Sequence, residues 1–236
     1  MLIASEKAGG GVVSYDDERQ HRPQQWSPYT NNGGTSMAVA GADFVVVASD
    51  TRMSTGYSIM SRAVPKTIQL TDKTVIATAG MAADRDAFHK LISAYLTKYE
   101  HTHGRVMGTE AVAQLVSTNL YQRRFFPYYT FNIVAGIDNN GKGAVYGYDA
   151  IGSFERIPFG VQGSGAALGT SILDNQLEFK QQPKNKKVLS ASDTVTLVKD
   201  VFTSIGERDI YTGDQVDIYL ITKAGTKHET FQLKLD

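Results

Sequence analysis

Apolar residues recur along this chain in two rhythms. From residue 37 to 78 they come in short β-branched runs. Met37 to Ala40 and Phe44 to Ser49 flank the turn Ala40-Gly41-Ala42-Asp43 and predict a hairpin. Its second arm, Phe44-Val45-Val46-Val47-Ala48, is apolar on both faces, as expected of a strand in a sheet covered on both sides. Two further strands are expected at Thr67 to Leu70 and Thr74 to Thr78, parted by Thr71-Asp72-Lys73. The rhythm then becomes helical. Phe88, Leu91, Ile92, Tyr95, Leu96 and Tyr99 predict a helix over about Ala82 to His101. Thr109 is placed to cap a second, with Val112, Leu115, Val116 and Leu120 on its apolar side.

The same order repeats once. Thr130 to Ile137 and Ala144 to Asp149 read as a hairpin around Asp138-Asn139-Asn140-Gly141-Lys142-Gly143. Helices are expected over Ala167 to Gln176 and where Val195, Val198, Val201, Phe202 and Ile205 share a side. Gln215 to Thr222 and Lys227 to Lys234 form a last hairpin around Ala224-Gly225. Strands, two helices, strands, two helices, strands: two helical layers can then enclose two sheets, which suits an α+β chain of four packed layers better than a doubly wound parallel sheet. Residues 1 to about 33 differ. Gly9-Gly10-Gly11, a polar run from Asp16 to Gln25 and Trp26-Ser27-Pro28-Tyr29 predict an extended arm or propeptide before a domain over 34–236.

Composition narrows the chemistry. Lys and Arg number 24 against 24 Asp and Glu, so charge favours neither nucleic acid nor an anionic membrane as partner. The absence of cysteine removes disulfides, thiolate metal sites and a thiol nucleophile. No run approaches membrane-spanning length. Met1-Leu2-Ile3-Ala4 is too short for the core of a signal peptide, so an intracellular setting is expected. His101-Thr102-His103 lacks a third ligand at a recognisable spacing and reads as a solvated helix end, so no metal is expected. Gly163-Ser164-Gly165-Ala166-Ala167-Leu168-Gly169 is one residue too long for a dinucleotide fingerprint, and no cofactor is expected. Arg123-Arg124-Phe125-Phe126-Pro127-Tyr128-Tyr129 reads as an aromatic strand entry suited to core or subunit contact rather than to nucleic-acid stacking.

The chemically suggestive stretch is Gly33-Gly34-Thr35-Ser36, followed by Ser49-Asp50-Thr51-Arg52 and Lys66. Together with Gly80, Gly163-Ser164-Gly165 and Arg208-Asp209-Ile210-Tyr211-Thr212-Gly213-Asp214, it resembles the beta subunits of the eukaryotic proteasome over roughly residues 26–236. Those are N-terminal-threonine hydrolases released by cleavage between Gly and Thr, and their fold is an αββα sandwich with antiparallel sheets. In the catalytic members an acid follows the threonine by sixteen positions and a lysine by thirty-two. Asp50 and Lys66 hold those spacings to Gly34, not to Thr35.

A threonine hydroxyl needs a base, and in that family the base is the residue's own free amine, which titrates close to neutrality. Gly34 offers no hydroxyl, and a one-residue slip along a strand turns Thr35 to the opposite face. The resemblance is therefore to a non-catalytic beta subunit. It implies a vestigial site of Gly34, Asp50, Lys66, Gly80, Ser164, Asp209 and Thr212, with Gly80 at the family's oxyanion position and Thr212 in place of a serine. It also implies beta and alpha subunits as partners, in stacked rings that degrade ubiquitin-tagged protein in cytoplasm and nucleus. The rival expectation is an active subunit using Thr35 after cleavage of the Gly34–Thr35 bond. Without catalysis, Asp50 and Lys66 are expected to form a buried structural pair.

Overall fold

The computed structural model describes residues 26–179 and 189–236. Strands β1 (Thr35–Ala40) and β2 (Phe44–Asp50) form the expected first hairpin. They are followed by a small hairpin, β3 (Met53–Thr55) and β4 (Ser58–Ser61), and then by β5 (Thr67–Thr71) and β6 (Thr74–Gly80). Helices α1 (Ala82–His103) and α2 (Thr109–Gln122) come next. Four strands follow: β7 (Thr130–Ile137), β8 (Gly143–Tyr148), β9 (Phe154–Ile157) and β10 (Phe159–Gly163). Helix α3 (Ala166–Leu173) runs on into a π turn at Asp174–Glu178, and α4 (Ala191–Gly206) precedes the final hairpin of β11 (Gln215–Thr222) and β12 (Gly225–Gln232).

The strands build two antiparallel five-stranded sheets, ordered β10-β1-β2-β11-β12 and β5-β6-β7-β8-β9. The alternation of side chains shows how they stack. In β2, Phe44, Val46 and Ala48 pack with Val198, Val201, Phe202 and Ile205 of α4, while Val45 and Val47 meet Val75, Ala77, Ile133 and Ala135 of the other sheet. In β6 and β7, Ile76 and Val134 face Phe88, Ile92, Val112 and Val116 of α1 and α2. Every residue of β2 and β6 is buried because each strand has an apolar layer on both sides. The result is the four-layer αββα sandwich of N-terminal-nucleophile hydrolases.

Three local readings differ from the sequence expectation. Thr109 is not the cap of α2: Gly108 holds that place, and the Thr109 hydroxyl instead donates to the Ile137 carbonyl at 2.8 Å and meets Thr74 Oγ1. The hairpin β3–β4 and the pair β9, β10 carry no expectation from sequence, since they are short and only partly buried. Strand β10 owes its place to β1, with Thr35 opposite Gly163 and Val39 opposite Phe159. Most of the expected N-terminal arm lies outside the described residues. Residues 26–34 have no helix or strand, yet Asn32, Gly33 and Gly34 are buried.

Candidate active site

The start of β1 is where the two sheets and the loops before β5 and β11 converge. Gly34 lies against Lys66: a Cβ built on Gly34 would overlap Lys66 Cε. The side-chain direction of position 34 therefore leads to the lysine. Lys66 is 1% exposed, and its ammonium donates to the carbonyls of Asp50 at 2.8 Å and Arg52 at 2.6 Å, with Asp50 Oδ1 at 3.3 Å. Asp50 is fully buried; it accepts from the Thr35 amide at 2.8 Å, and from the Arg52 and Gly213 amides at 3.3 Å. Burial pushes the Asp50 carboxyl up, opposed by Lys66 and these amides. Burial likewise pushes the Lys66 ammonium down, opposed mainly by Asp50.

The hydroxyl of Thr35 takes the other side of the strand. It lies 2.6 Å from Thr212 Oγ1 and accepts from the Gly165 amide at 3.0 Å. Thr212 Oγ1 and Ser164 Oγ both donate to Asp209 Oδ2 at 2.6 Å. The Ser164 amide and hydroxyl also reach the Gly34 carbonyl, at 3.0 and 3.3 Å. Thus Gly34, Asp50 and Lys66 form one cluster and Thr35, Ser164, Asp209 and Thr212 another, joined through the backbone of residues 34 and 35. Gly80 belongs to neither by side chain; its carbonyl accepts from the Asn32 amide at 3.2 Å. At φ +117 and with the Tyr129 carbonyl against it, position 80 has no room for a side chain.

Several contributors have no signature in sequence spacing. Arg85, at the first turn of α1, is 2% exposed; its Nε meets Asp86 at 3.3 Å and its Nη2 has no partner among the described residues. Burial lowers its affinity for a proton, and its charge in turn opposes that of Lys66. Arg52 pairs with Asp214 at 2.8 Å and reaches Asp236, so the turn before β11 and the residues after β12 are tied to the loop that carries Lys66's acceptors. Arg62 joins the same Asp214 carboxylate. Asn32 is the remaining one: its Nδ2 donates to the Ser54 carbonyl at 3.0 Å and its Oδ1 accepts from the Ala82 amide at 2.8 Å. No group of His, Cys, Asp and Glu among the described residues is arranged to hold a metal.

This arrangement has a known family context. The family model described as "Proteasome subunit" matches residues 30–221, which includes both clusters. The chain belongs to the proteasome subunit family. It is 49% identical to proteasome subunit beta type-1-B of Carassius auratus, with both chains covered end to end. It is 47% identical to proteasome subunit beta type-1 of Arabidopsis thaliana over 92% of this chain and 99% of that one. A third relative, proteasome subunit beta type-6 of Saccharomyces cerevisiae, is 41% identical over 94% and 97%.

Proposed function

We propose that this chain is a non-catalytic beta subunit of a 20S proteasome core particle, in the place held by the beta type-1 subunits it resembles. The carrying observation is Gly34 against Lys66: the position whose side chain would meet the lysine has none, and the lysine stem fills the space. An N-terminal nucleophile needs hydroxyl, amine and lysine together. The hydroxyl that is present, on Thr35, is on the opposite side and has no solvent exposure.

In this reading the subunit sits in a seven-membered beta ring with other beta subunits, stacked on a second beta ring and flanked by alpha rings. The particle degrades ubiquitin-tagged protein in cytoplasm and nucleus. The subunit's share is to close the ring and to shape a neighbour's pocket. The segment 1–33 is then a propeptide-like extension, trimmed by a neighbour upstream of Gly34 rather than by self-cleavage. A second reading, an active subunit using Thr35, is favoured by the hydrogen-bond chain from Thr35 through Thr212 to Asp209. Intact-mass measurement of the chain from purified particles separates the two. Chains beginning upstream of Gly34, with no adduct from a threonine-directed electrophile, are expected. Chains beginning at Thr35, or an adduct on it, would establish the second reading instead.

A further inference from the structure

Helix α2 ends in a turn that keeps two guanidinium groups and large rings on the outside. Arg123 is its C-cap, and the turn closes with the Arg124 amide donating to the Tyr121 carbonyl at 3.1 Å and the Phe126 amide to the Arg123 carbonyl at 3.0 Å. The far side of the turn is anchored. Tyr128 sets its ring 5.2 Å from that of the buried Phe88, and Tyr29 donates its hydroxyl to the Pro127 carbonyl at 2.7 Å. Outside remain Phe125, 89% exposed, and Tyr121 and Phe126, each more than half exposed.

Arg124 is placed by these rings. Its guanidinium carbon stands 4.4 Å from the Tyr121 ring centre and 4.6 Å from that of Phe125, and its Nη1 donates to the Tyr121 carbonyl at 3.2 Å. Arg123 lies 5.0 Å from the Tyr128 ring centre, with Nε donating to the Phe126 carbonyl at 3.4 Å. A guanidinium set against rings still has N–H groups along its edge to offer a partner. Neither guanidinium meets a carboxylate among the described residues. The acids at the start of α1 are engaged elsewhere: Asp84 accepts from the Tyr129 amide and Asp86 pairs with Arg85. The negative end of a helix favours a basic residue, and one would serve. It gives no reason for a second, nor for a phenylalanine left in water beside them. An arginine held in place next to a large exposed ring has the makeup of an interface anchor.

We propose that this turn docks an acidic segment of a neighbouring beta subunit, one that sets a carboxylate on the N–H edge of Arg124 and an apolar side chain against Phe125. The proposal rests on reading the chain as a ring subunit, which supplies the neighbour, and it names what that neighbour presents. A carboxylate matches the guanidinium fork with two parallel hydrogen bonds. Covering the turn with a wholly apolar surface would instead leave a desolvated charge without a partner. Nucleic acid is a poorer match, because a phosphate backbone is held by many basic groups and this chain has no net charge.

The charge at position 124 tests the sign of the partner. The native chain and a tagged variant are expressed together, and the share of each in purified particles is measured by mass spectrometry. The share should fall in the order native, Arg124→Lys, Arg124→Gln, Arg124→Glu, with the glutamine variant lower by about tenfold or more, as loss of an interface anchor implies. Lysine keeps the charge but not the fork. Glutamate entering as well as glutamine, or every variant entering like the native chain, would overturn the proposal. Amide exchange across α2 checks that each variant is folded; should one lose protection, the next measurement decides alone. A photoreactive benzoylphenylalanine in place of Phe125 identifies what covers the turn in the assembled particle. Linkage to a peptide of another beta subunit, with Asp or Glu close to the linked position, is expected. Linkage to a second copy of this chain, to nucleic acid or to a segment without carboxylates would overturn the proposal, as would no linkage at all. A native chain that enters no particle would overturn the functional reading instead, so the two failures are distinct.

Discussion

Single residues decide whether this chain can do chemistry, and Gly34 is the sharpest case. Its φ of +89 is one that a β-branched residue adopts only with strain, of order 1–3 kcal/mol. Gly34→Thr would place a hydroxyl toward Lys66 while forcing the lysine stem aside. Breaking the Gly33–residue 34 bond frees that φ, so the strain favours cleavage. Partial self-cleavage is expected, with the introduced threonine as a new N-terminus in the mass spectrum. Turnover should stay poor, because a positional error of about an ångström can cost a hundredfold. An uncleaved variant that folds normally would count against the register. Thr35→Ala is the matched control. It leaves the Gly165 amide unpaired and should cost about 1–3 kcal/mol in stability while sparing the particle's peptidase activities.

His89 supplies a prediction about pH. It is 6% exposed, and with the Thr78 hydroxyl proton given to Asn132, its Nε2 donates to Thr78 at 2.7 Å. Burial, with the charge of Arg85, lowers its pKa from 6.5 to about 3. A histidine with a lowered folded pKa contributes stability above 6.5 that is lost as pH falls toward 3, because only the unfolded chain takes the proton. The loss should approach about 1.4 kcal/mol per pH unit in that window. Equilibrium unfolding of the native chain and of His89→Gln, compared from pH 7 downward, should show a flatter profile for the variant. Equal slopes would mean that His89 takes up a proton as readily in the fold as in the unfolded chain.

At the scale of elements, the long periodic segments were legible and the short ones were not. Strand β2 announces two apolar contacts through its unbroken run, and it has both. The last helix announces one face through Val198, Val201, Phe202 and Ile205, all buried. Strands β9 and β10 could not be read, because their pairing partners lie in β8 and β1 and their own burial is partial. Thr109 shows how a local rule loses to a distant partner. Its hydroxyl binds Ile137 across the fold instead of capping its own helix. Substitution distinguishes the two roles. A cap position accepts asparagine, whereas a buried tie beside Gly136 does not. Thr109→Asn should therefore destabilise the chain by about 1–3 kcal/mol, at least as much as Thr109→Val. Retained stability in the asparagine variant would restore the capping role.

At the scale of the whole molecule, the site is assembled from residues 32 to 214, and only part of that assembly was readable. Gly34, Asp50 and Lys66 were grouped by the family spacing they resemble, and the chain joins them through the β1–β2 hairpin and then the β3–β4 hairpin. That Thr35 would share a hydrogen-bond chain with Thr212 and Asp209 depends on β11 lying beside β2, which pattern alone does not give. Asn32 was invisible for the same reason: its partners Ser54, Gly80 and Ala82 meet only after the sheets have stacked.

Folding also leaves large apolar groups outside. Phe125 is 89% exposed and Tyr57 95%, with Tyr121, Phe126 and Met60 more than half exposed. They come from two separate places, the end of α2 with the turn after it and the hairpin β3–β4. A ring of unlike neighbours needs two different contact surfaces on each subunit, and apolar groups of this size are where such contacts are built. The isolated chain is therefore expected to self-associate rather than persist as a well-folded monomer. Sedimentation should show this, and a double variant, Tyr57→Ser with Phe125→Ser, should shift the isolated chain toward monomer. The same variant should enter particles less well than the native chain when both are expressed together. Because serine at these exposed positions removes no buried contact, its fold should be intact by hydrogen exchange. A variant that assembles as well as the native chain would show that these groups face solvent in the ring and that the contacts lie elsewhere.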